Sequence, residues 1–172
     1  MLFRSAYKIS ENDDWVVSKP AMSDMGLTPG PWAARIKDFG VASSEIITVN
    51  GAEYRVGDLR EKILRKKPGE SVAYATDYVW EQDTVDSLIR MISGSDLFIS
   101  EATYIEEDAD LARRHYHVTA KQAAQIAQRA NVGRLYLFHV SKRYEKTGLD
   151  VVLKQAKEYF KECYFSEDWR RN

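Results

Sequence analysis

Cysteine is almost missing from this chain: Cys163 is the single one in 172 residues. That excludes an internal disulfide and any zinc cage built from thiolates. Histidine is nearly as scarce, with three residues and none before His115, so imidazole chemistry is confined to the last third. No apolar run approaches the length of a membrane span. Met1-Leu2-Phe3-Arg4-Ser5 is too short and too charged to be a signal peptide. Charge of one sign is also lacking. Twenty-five basic side chains face 26 acidic ones, a net charge of −1, which argues against a strongly basic nucleic-acid tail but leaves a local patch open. Neither an internal repeat nor a low-complexity segment is visible. What remains is a cytoplasmic globular chain, 44% hydrophobic and 30% charged, with room for one domain and a real core.

What the chain does have is a change of rhythm at Pro68-Gly69. Before it, residues 7–9 and 15–17 read as short strands around the turn-prone Asn12-Asp13-Asp14, and the first thirty residues look like the tail of something. Pro31 opens a helix after the loop at residues 28–31. Asn50-Gly51, set between the β-forming residues 45–49 and 53–56, is the strongest hairpin signal in the chain. Residues 58–67 end in Arg65-Lys66-Lys67, read as a solvated surface turn. After Gly69, predicted strands at 72–75, 97–99 and 135–138 alternate with helices at 84–92, 106–114, 119–130 and 150–160. Tyr164-Phe165 makes a last strand. Such alternation predicts an α/β sheet with helices packed on it. The hairpin before Pro68 is too small to stand alone, so residues 1–68 and 69–172 are read as two segments of one domain.

Polar residues gather at the C-terminal ends of these strands, where α/β sheets usually present chemistry. One apolar run ends in Glu101, a second in His139, and the strand from Val72 adds Asp77. A carboxylate at the end of a buried strand is costly unless partnered, and the partner is either an arginine or a histidine. His139 is the better ligand candidate, because one ring nitrogen can reach a metal while a neighbour fixes the other. His115-x-His117 is at most half of a metal site. His117 also precedes Thr119, a good N-cap, and so reads equally as a residue at a helix start. Taken alone, Asp77 reads first as an Asx-turn or helix cap. Arg143 suits a bidentate anion contact, although a surface ion pair is commoner.

Taken together, these pieces form a series. Thr76-Asp77, then Asp96-Leu97-Phe98-Ile99-Ser100-Glu101-Ala102-Thr103, then His117-Val118-Thr119-Ala120-Lys121-Gln122-Ala123, then Phe138-His139-Val140-Ser141-Lys142-Arg143-Tyr144 resemble the C-terminal half of ribonuclease Z. That family is the metallo-β-lactamase-fold endonuclease that trims the 3′ trailer from precursor tRNA. The resemblance is continuous from about Gly69 to Tyr144; Gly30-Pro31 with the Asn50-Gly51 hairpin is similar to the segment just upstream, and residues 163–168 to the closing strand. It implies the C-terminal half of an αββα sandwich: a mixed sheet with helices on its outer face, plus a β-hairpin, with residues 1–172 as a single partial domain. It implies that Asp77 bridges two zinc ions and that His139 completes the shell of the second, for in-line attack at phosphorus with the metals stabilising charge. His117 would protonate the leaving 3′ oxygen, and Glu101 would orient and charge that imidazole. Ser141 and Arg143 would lie near the scissile phosphate. His115 receives no role and is expected at the surface.

The departures carry weight too. The family's His-x-His-x-Asp-His motif and a further ligand histidine belong to its N-terminal half, and nothing before His115 supplies them here. Zinc takes about four ligands in a closed site, or three plus water in a catalytic one, so Asp77 and His139 are an incomplete set. Ser100 stands where many relatives have histidine, and Tyr78 where threonine is frequent. The glycine- and proline-rich arm that grips tRNA in some members is absent from these residues. The chain is therefore expected to be inactive alone. It is read as an incomplete gene product with Met1–Ser5 as an artificial opening, or as a stand-alone protein that has lost catalysis or pairs with a separately encoded half. Half a sandwich leaves apolar strand faces without a partner, and burial is worth roughly 25 cal/mol per Å². A homodimer or the missing N-terminal half is thus the expected partner, with precursor tRNA or another phosphodiester as substrate of the intact enzyme and no membrane involved. Another hydrolase of the same fold and a non-catalytic binding module are the alternative readings.

Overall fold

The structure, a computed structural model, describes residues 3–144 and 148–165. By packing, the chain divides into two compact units: Asn12–Gly69, and Met1–Glu11 together with Glu70–Asn172. The chain starts with β1 (Phe3–Ser10), which runs antiparallel to a strand some sixty residues away in sequence, with Tyr7 opposite Tyr74 and Ser5 opposite Thr76. β1 is an edge of the main sheet, with Phe3 opposite Tyr78.

The smaller unit contains β2 (Asp14–Val17), α1 (Lys19–Asp24), α2 (Trp32–Lys37), β3 (Ile46–Val49), β4 (Ala52–Arg55), α3 (Val56–Ile63) and β5 (Leu64–Lys67). The β3–β4 turn forms where expected, because Asn50 and Gly51 both accept positive φ, 51° and 82°. Its core is Leu27, Ile36, Ile47, Val49, Val56, Leu59, Ile63 and Leu64. Arg60 fastens the 36–41 loop: its Nε donates to Ile36 O at 2.9 Å, its Nη2 donates to Val41 O at 2.9 Å, and its guanidinium lies over Phe39. Arg65-Lys66-Lys67 departs from the expected surface turn. It is the body of β5, paired antiparallel with β2, and Lys66 meets the Asp13 carboxylate at 2.7 Å.

The chain returns where it left, Glu11 N–H donating to Glu70 O at 2.8 Å. There follow β6 (Ser71–Tyr78), α4 (Gln82–Ile92), β7 (Leu97–Glu101), a 3-10 turn (Glu106–Asp108), α5 (Ala109–Arg114), α6 (Ala120–Arg129), β8 (Arg134–Phe138), a second 3-10 turn (Lys142–Tyr144), α7 (Asp150–Lys157) and β9 (Cys163–Phe165). The sheet order is β1-β6-β7-β8-β9, with β6 to β9 parallel and β1 antiparallel, so it is a mixed α/β sheet. Of the expected closing strand, residues 166–168 lie outside the described residues. Among the described residues, no helix is long and apolar enough to cross a membrane.

Alternation along the strands decides which face is buried. Ala73 and Ala75, Phe98, Leu135 and Leu137, and Cys163 and Phe165 meet Val85, Leu88 and Ile92 of α4, Ala123 and Ala127 of α6, and Val152 and Ala156 of α7. Gly133 is needed where the chain enters β8, because a Cβ there would stand 2.8 Å from Asp96 O. The opposite face is aromatic. Tyr7 stacks on Tyr74 at 5.1 Å, Tyr74 on Phe138 at 5.2 Å, and Tyr136 lies against Tyr164 at 5.7 Å. Ile9 is 66% exposed and Tyr7 51%, so this face keeps a large apolar surface in water.

Burial pushes the Cys163 thiol up to about 12. The thiol therefore stays protonated at neutral pH, and only the thiolate is reactive. Cys163 should resist a thiol-reactive dye at pH 8 and react promptly in urea; fast native-state labelling would contradict this packing.

Candidate active site

Strands β6, β7 and β8 are parallel neighbours, so their C-terminal ends reach one rim together. At that rim the backbone turns left-handed twice, at Asp77 (φ 52°) and His139 (φ 56°). Aspartate and histidine are among the few residues other than glycine that accept this conformation. β7 ends in Glu101, whose side chain is fully buried.

His117 comes from the loop before α6. Its N–H donates to Ala112 O at 2.9 Å. Two residues on, Thr119 makes a reciprocal cap with Gln122: Gln122 N–H donates to Thr119 Oγ1 at 3.2 Å, and Thr119 N–H donates to Gln122 Oε1 at 2.9 Å. Thr119 is therefore the N-cap expected of it, two residues beyond the imidazole.

Glu101 is the hub. Its Oε1 accepts the Tyr78 N–H at 3.0 Å, and its Oε2 accepts the Thr103 hydroxyl at 3.1 Å. His117 Nδ1 lies 2.7 Å from the same Oε2, and His139 Nδ1 lies 3.4 Å from it. Asp77 Oδ1 stands 3.7 Å from His117 Nδ1 and 3.9 Å from His139 Nδ1. The two imidazoles meet edge to face, with centroids 5.0 Å apart. Side-chain exposure grades outward from Glu101 at 0% through His117 at 18% and Asp77 at 30% to His139 at 47%. Burial pushes the Glu101 carboxyl up to about 7, against the pull of the Tyr78 N–H, the Thr103 hydroxyl and the charge of His139.

One ligand atom from each of Asp77, Glu101, His117 and His139 falls within 4.8 Å of the others, close enough to share a divalent ion. The four do not offer equal capacity. Both oxygens of Glu101 already accept hydrogen bonds, and His117 Nδ1 is taken by that carboxylate. Asp77 and His139 are the two more open residues of the four, and two donors alone would fall short of a full zinc shell.

Ser141 and Arg143 are not part of this cluster. Ser141 N–H donates to Thr103 O at 3.0 Å, joining the loop after β8 to the loop after β7. Arg143 pairs with Asp108, Nη1 to Oδ1 at 3.0 Å, while Tyr144 donates its hydroxyl to the other oxygen of Asp108 at 2.5 Å. Asp108 and the hydroxyl of Thr103 are the participants that sequence reading missed; nothing in Glu106-Glu107-Asp108 singles out the third acid. His115 is exposed, with its ring edge-on to Tyr104. Tyr78 and Ser100 touch each other. Ser100 Oγ donates to Glu101 O at 3.0 Å, so Tyr78 is the donor across the 2.7 Å contact between the two hydroxyls.

A family model described as the beta-lactamase superfamily domain matches residues 23–140, which take in all four clustered residues. The chain belongs to that superfamily. Within it, the chain is 34% identical over 155 residues to the ribonuclease Z of Deinococcus radiodurans, covering 90% of this chain and 46% of that protein. It is 36% identical over 169 residues to the ribonuclease Z of Picrophilus torridus, covering 95% and 48% respectively. The chain thus spans about half the length of the curated relatives it matches. Among solved structures, the metallo-β-lactamase fold protein YhfI from Bacillus subtilis aligns over 59% of this chain and 39% of its own, at 25% identity and a TM-score of 0.49.

Because Glu101 satisfies a buried N–H, Glu101→Ala should cost about 2 kcal/mol of stability in urea unfolding of the metal-free chain. Asp77→Asn, which keeps the left-handed backbone and is partly exposed, should change it by no more than about 0.5 kcal/mol. Equal losses would deny Glu101 its place as hub.

Proposed function

We propose that this chain carries part of the active site of a zinc-dependent phosphodiesterase of the ribonuclease Z type, acting at the 3′ trailer of precursor tRNA and inactive without further ligands. The observation that supports it is the nested cluster: a buried Glu101–His117 pair directly behind the more open Asp77 and His139. Asp77 and His139 would hold metal. Zinc, when bound, supplies Lewis acidity to the phosphoryl oxygens and lowers the pKa of a water. The chain's own contribution is acid–base. With Nδ1 held by Glu101, the His117 ring is fixed in orientation and delivers a proton from Nε2 to the leaving 3′ oxygen. The Thr103 hydroxyl and the Tyr78 N–H keep Glu101 from turning away. Arg143, held by Asp108, would meet the phosphate from the adjoining loop. Ser141 would do the same through its hydroxyl.

The remaining zinc ligands come from polypeptide beyond this chain, which covers 46% and 48% of the two ribonuclease Z proteins above. The aromatic face carrying Tyr7, Tyr74 and Phe138 is where that polypeptide, or failing it a second copy, would pack. A cytoplasmic enzyme follows from the same reading.

Alone, the chain should bind less than two zinc ions tightly in calorimetry and should dimerise or aggregate in sedimentation. Two tight sites, or a monodisperse, cooperatively melting monomer, would count against an incomplete site and an unpaired face. In the enzyme reconstituted with an upstream half, His117→Ala should slow precursor-tRNA cleavage by about 10²-fold or more. The same variant should spare a p-nitrophenyl phosphodiester, whose leaving group needs no proton. Similar losses on both would rule out a general acid, and wild-type cleavage of the reporter alone would point to a different phosphodiester substrate.

A further inference from the structure

Asp108 stands at the N-cap of α5, where an aspartate ordinarily turns its side chain onto the N–H groups of the first helical turn, yet it forms no such bond. Both of its oxygens go instead to the loop beyond β8. Oδ1 takes Arg143 Nη1 at 3.0 Å, and Oδ2 takes the Tyr144 hydroxyl at 2.5 Å. A favourable local bond given up for a distant one marks the distant loop as what the side chain serves. We infer that Asp108 is a positioning residue, holding the Arg143 guanidinium in the orientation that receives a non-bridging phosphodiester oxygen. This rests on the proposed function and deepens it.

The geometry is that of a braced arginine rather than of a loose surface pair. Exposed ion pairs give up side-chain entropy and hold little. Here the far oxygen of the carboxylate is fixed by the phenol of Tyr144, which is buried and whose oxygen also accepts the Ile105 N–H at 3.2 Å. Two residues before Arg143, the Ser141 N–H is bonded to Thr103 O at 3.0 Å. The hydroxyl of that same Thr103 meets Glu101, so hydrogen bonds tie the Arg143 loop to the carboxylate at the rim. The Arg143 side chain keeps 44% of its surface exposed, and a guanidinium gripped at Nη1 still has donors for an incoming oxygen. An arginine already ordered by Asp108 loses less freedom on meeting a phosphate than one loose in water. The other two acids of the turn serve different partners. Glu106 meets Lys121 Nζ at 2.9 Å, and Glu107 accepts from Gln155 at 2.7 Å. The three carboxylates are therefore not interchangeable.

The full chain in EDTA, carrying isotope-labelled arginine and titrated with dimethyl phosphate, tests this by magnetic resonance at the Arg143 Nε–H, which is identified by its loss in Arg143→Ala. The parent should show a saturable shift there. Asp108→Asn should weaken the phosphodiester by about five-fold or more and let the Nε–H move faster. Charge alone predicts the opposite sign, since the variant removes a negative group beside the anion. Glu107→Gln removes the same charge one residue away and should weaken nothing. Tyr144→Phe, nearly isosteric and without change of charge, should weaken binding by about two-fold or more, and it decides the matter if Asp108→Asn folds poorly. Unchanged or tighter binding in Asp108→Asn, equal weakening by Glu107→Gln, or no shift at Arg143 in the parent would overturn the inference. None of these readouts involves zinc or cleavage. A failed metal titration therefore falls on the catalytic reading alone, and tighter binding in Asp108→Asn falls on Asp108 alone.

Discussion

A carboxylate with no exposed surface ends the central strand of the main sheet, and the arrangement of the rim follows from satisfying it. Desolvating Glu101 without partners would be prohibitive. Three partners answer, each from a different stretch of chain: a backbone N–H at the end of β6, a hydroxyl just past β7 and an imidazole from the loop before α6. Asp77 and His139 stand beside the same carboxylate, His139 Nδ1 3.4 Å from its Oε2. The buried carboxylate thus has a partner for each oxygen, and the polar network is complete enough to specify a single geometry.

This logic was partly legible beforehand. An acid ending an apolar run announces a need for a partner, and of the two candidates, arginine or histidine, the fold supplies His117. Asn50-Gly51 and Thr119 were legible because their conformations are local matters, decided by φ and by a side chain reaching three residues ahead. Pairing between distant segments was not. Nothing in residues 3–10 reveals that Tyr74 lies opposite Tyr7, since the partner strand begins only after the whole of residues 12–69. Leu64-Arg65-Lys66-Lys67 lacks the alternation that marks a strand, and β2 makes it one. Asp108 was hidden for a related reason: its role depends on Arg143 and Tyr144, some 35 residues further on.

Tyr78 and Ser100, 22 residues apart in sequence, are in space one buried hydrogen-bonded pair. The Tyr78 side chain leans on Ser100 while its backbone N–H serves Glu101, so the pair supports the network from below. Changes at two contacting positions are not expected to be additive.

The single hydrogen bond between Glu11 and Glu70 has an architectural consequence. Because the polypeptide departs from and rejoins the sheet at adjacent positions, residues 12–69 are grafted between two strands that already pair as a hairpin. The closure of that loop is thereby short, and the register of β1 on β6 is set by the strands themselves rather than by the residues between them.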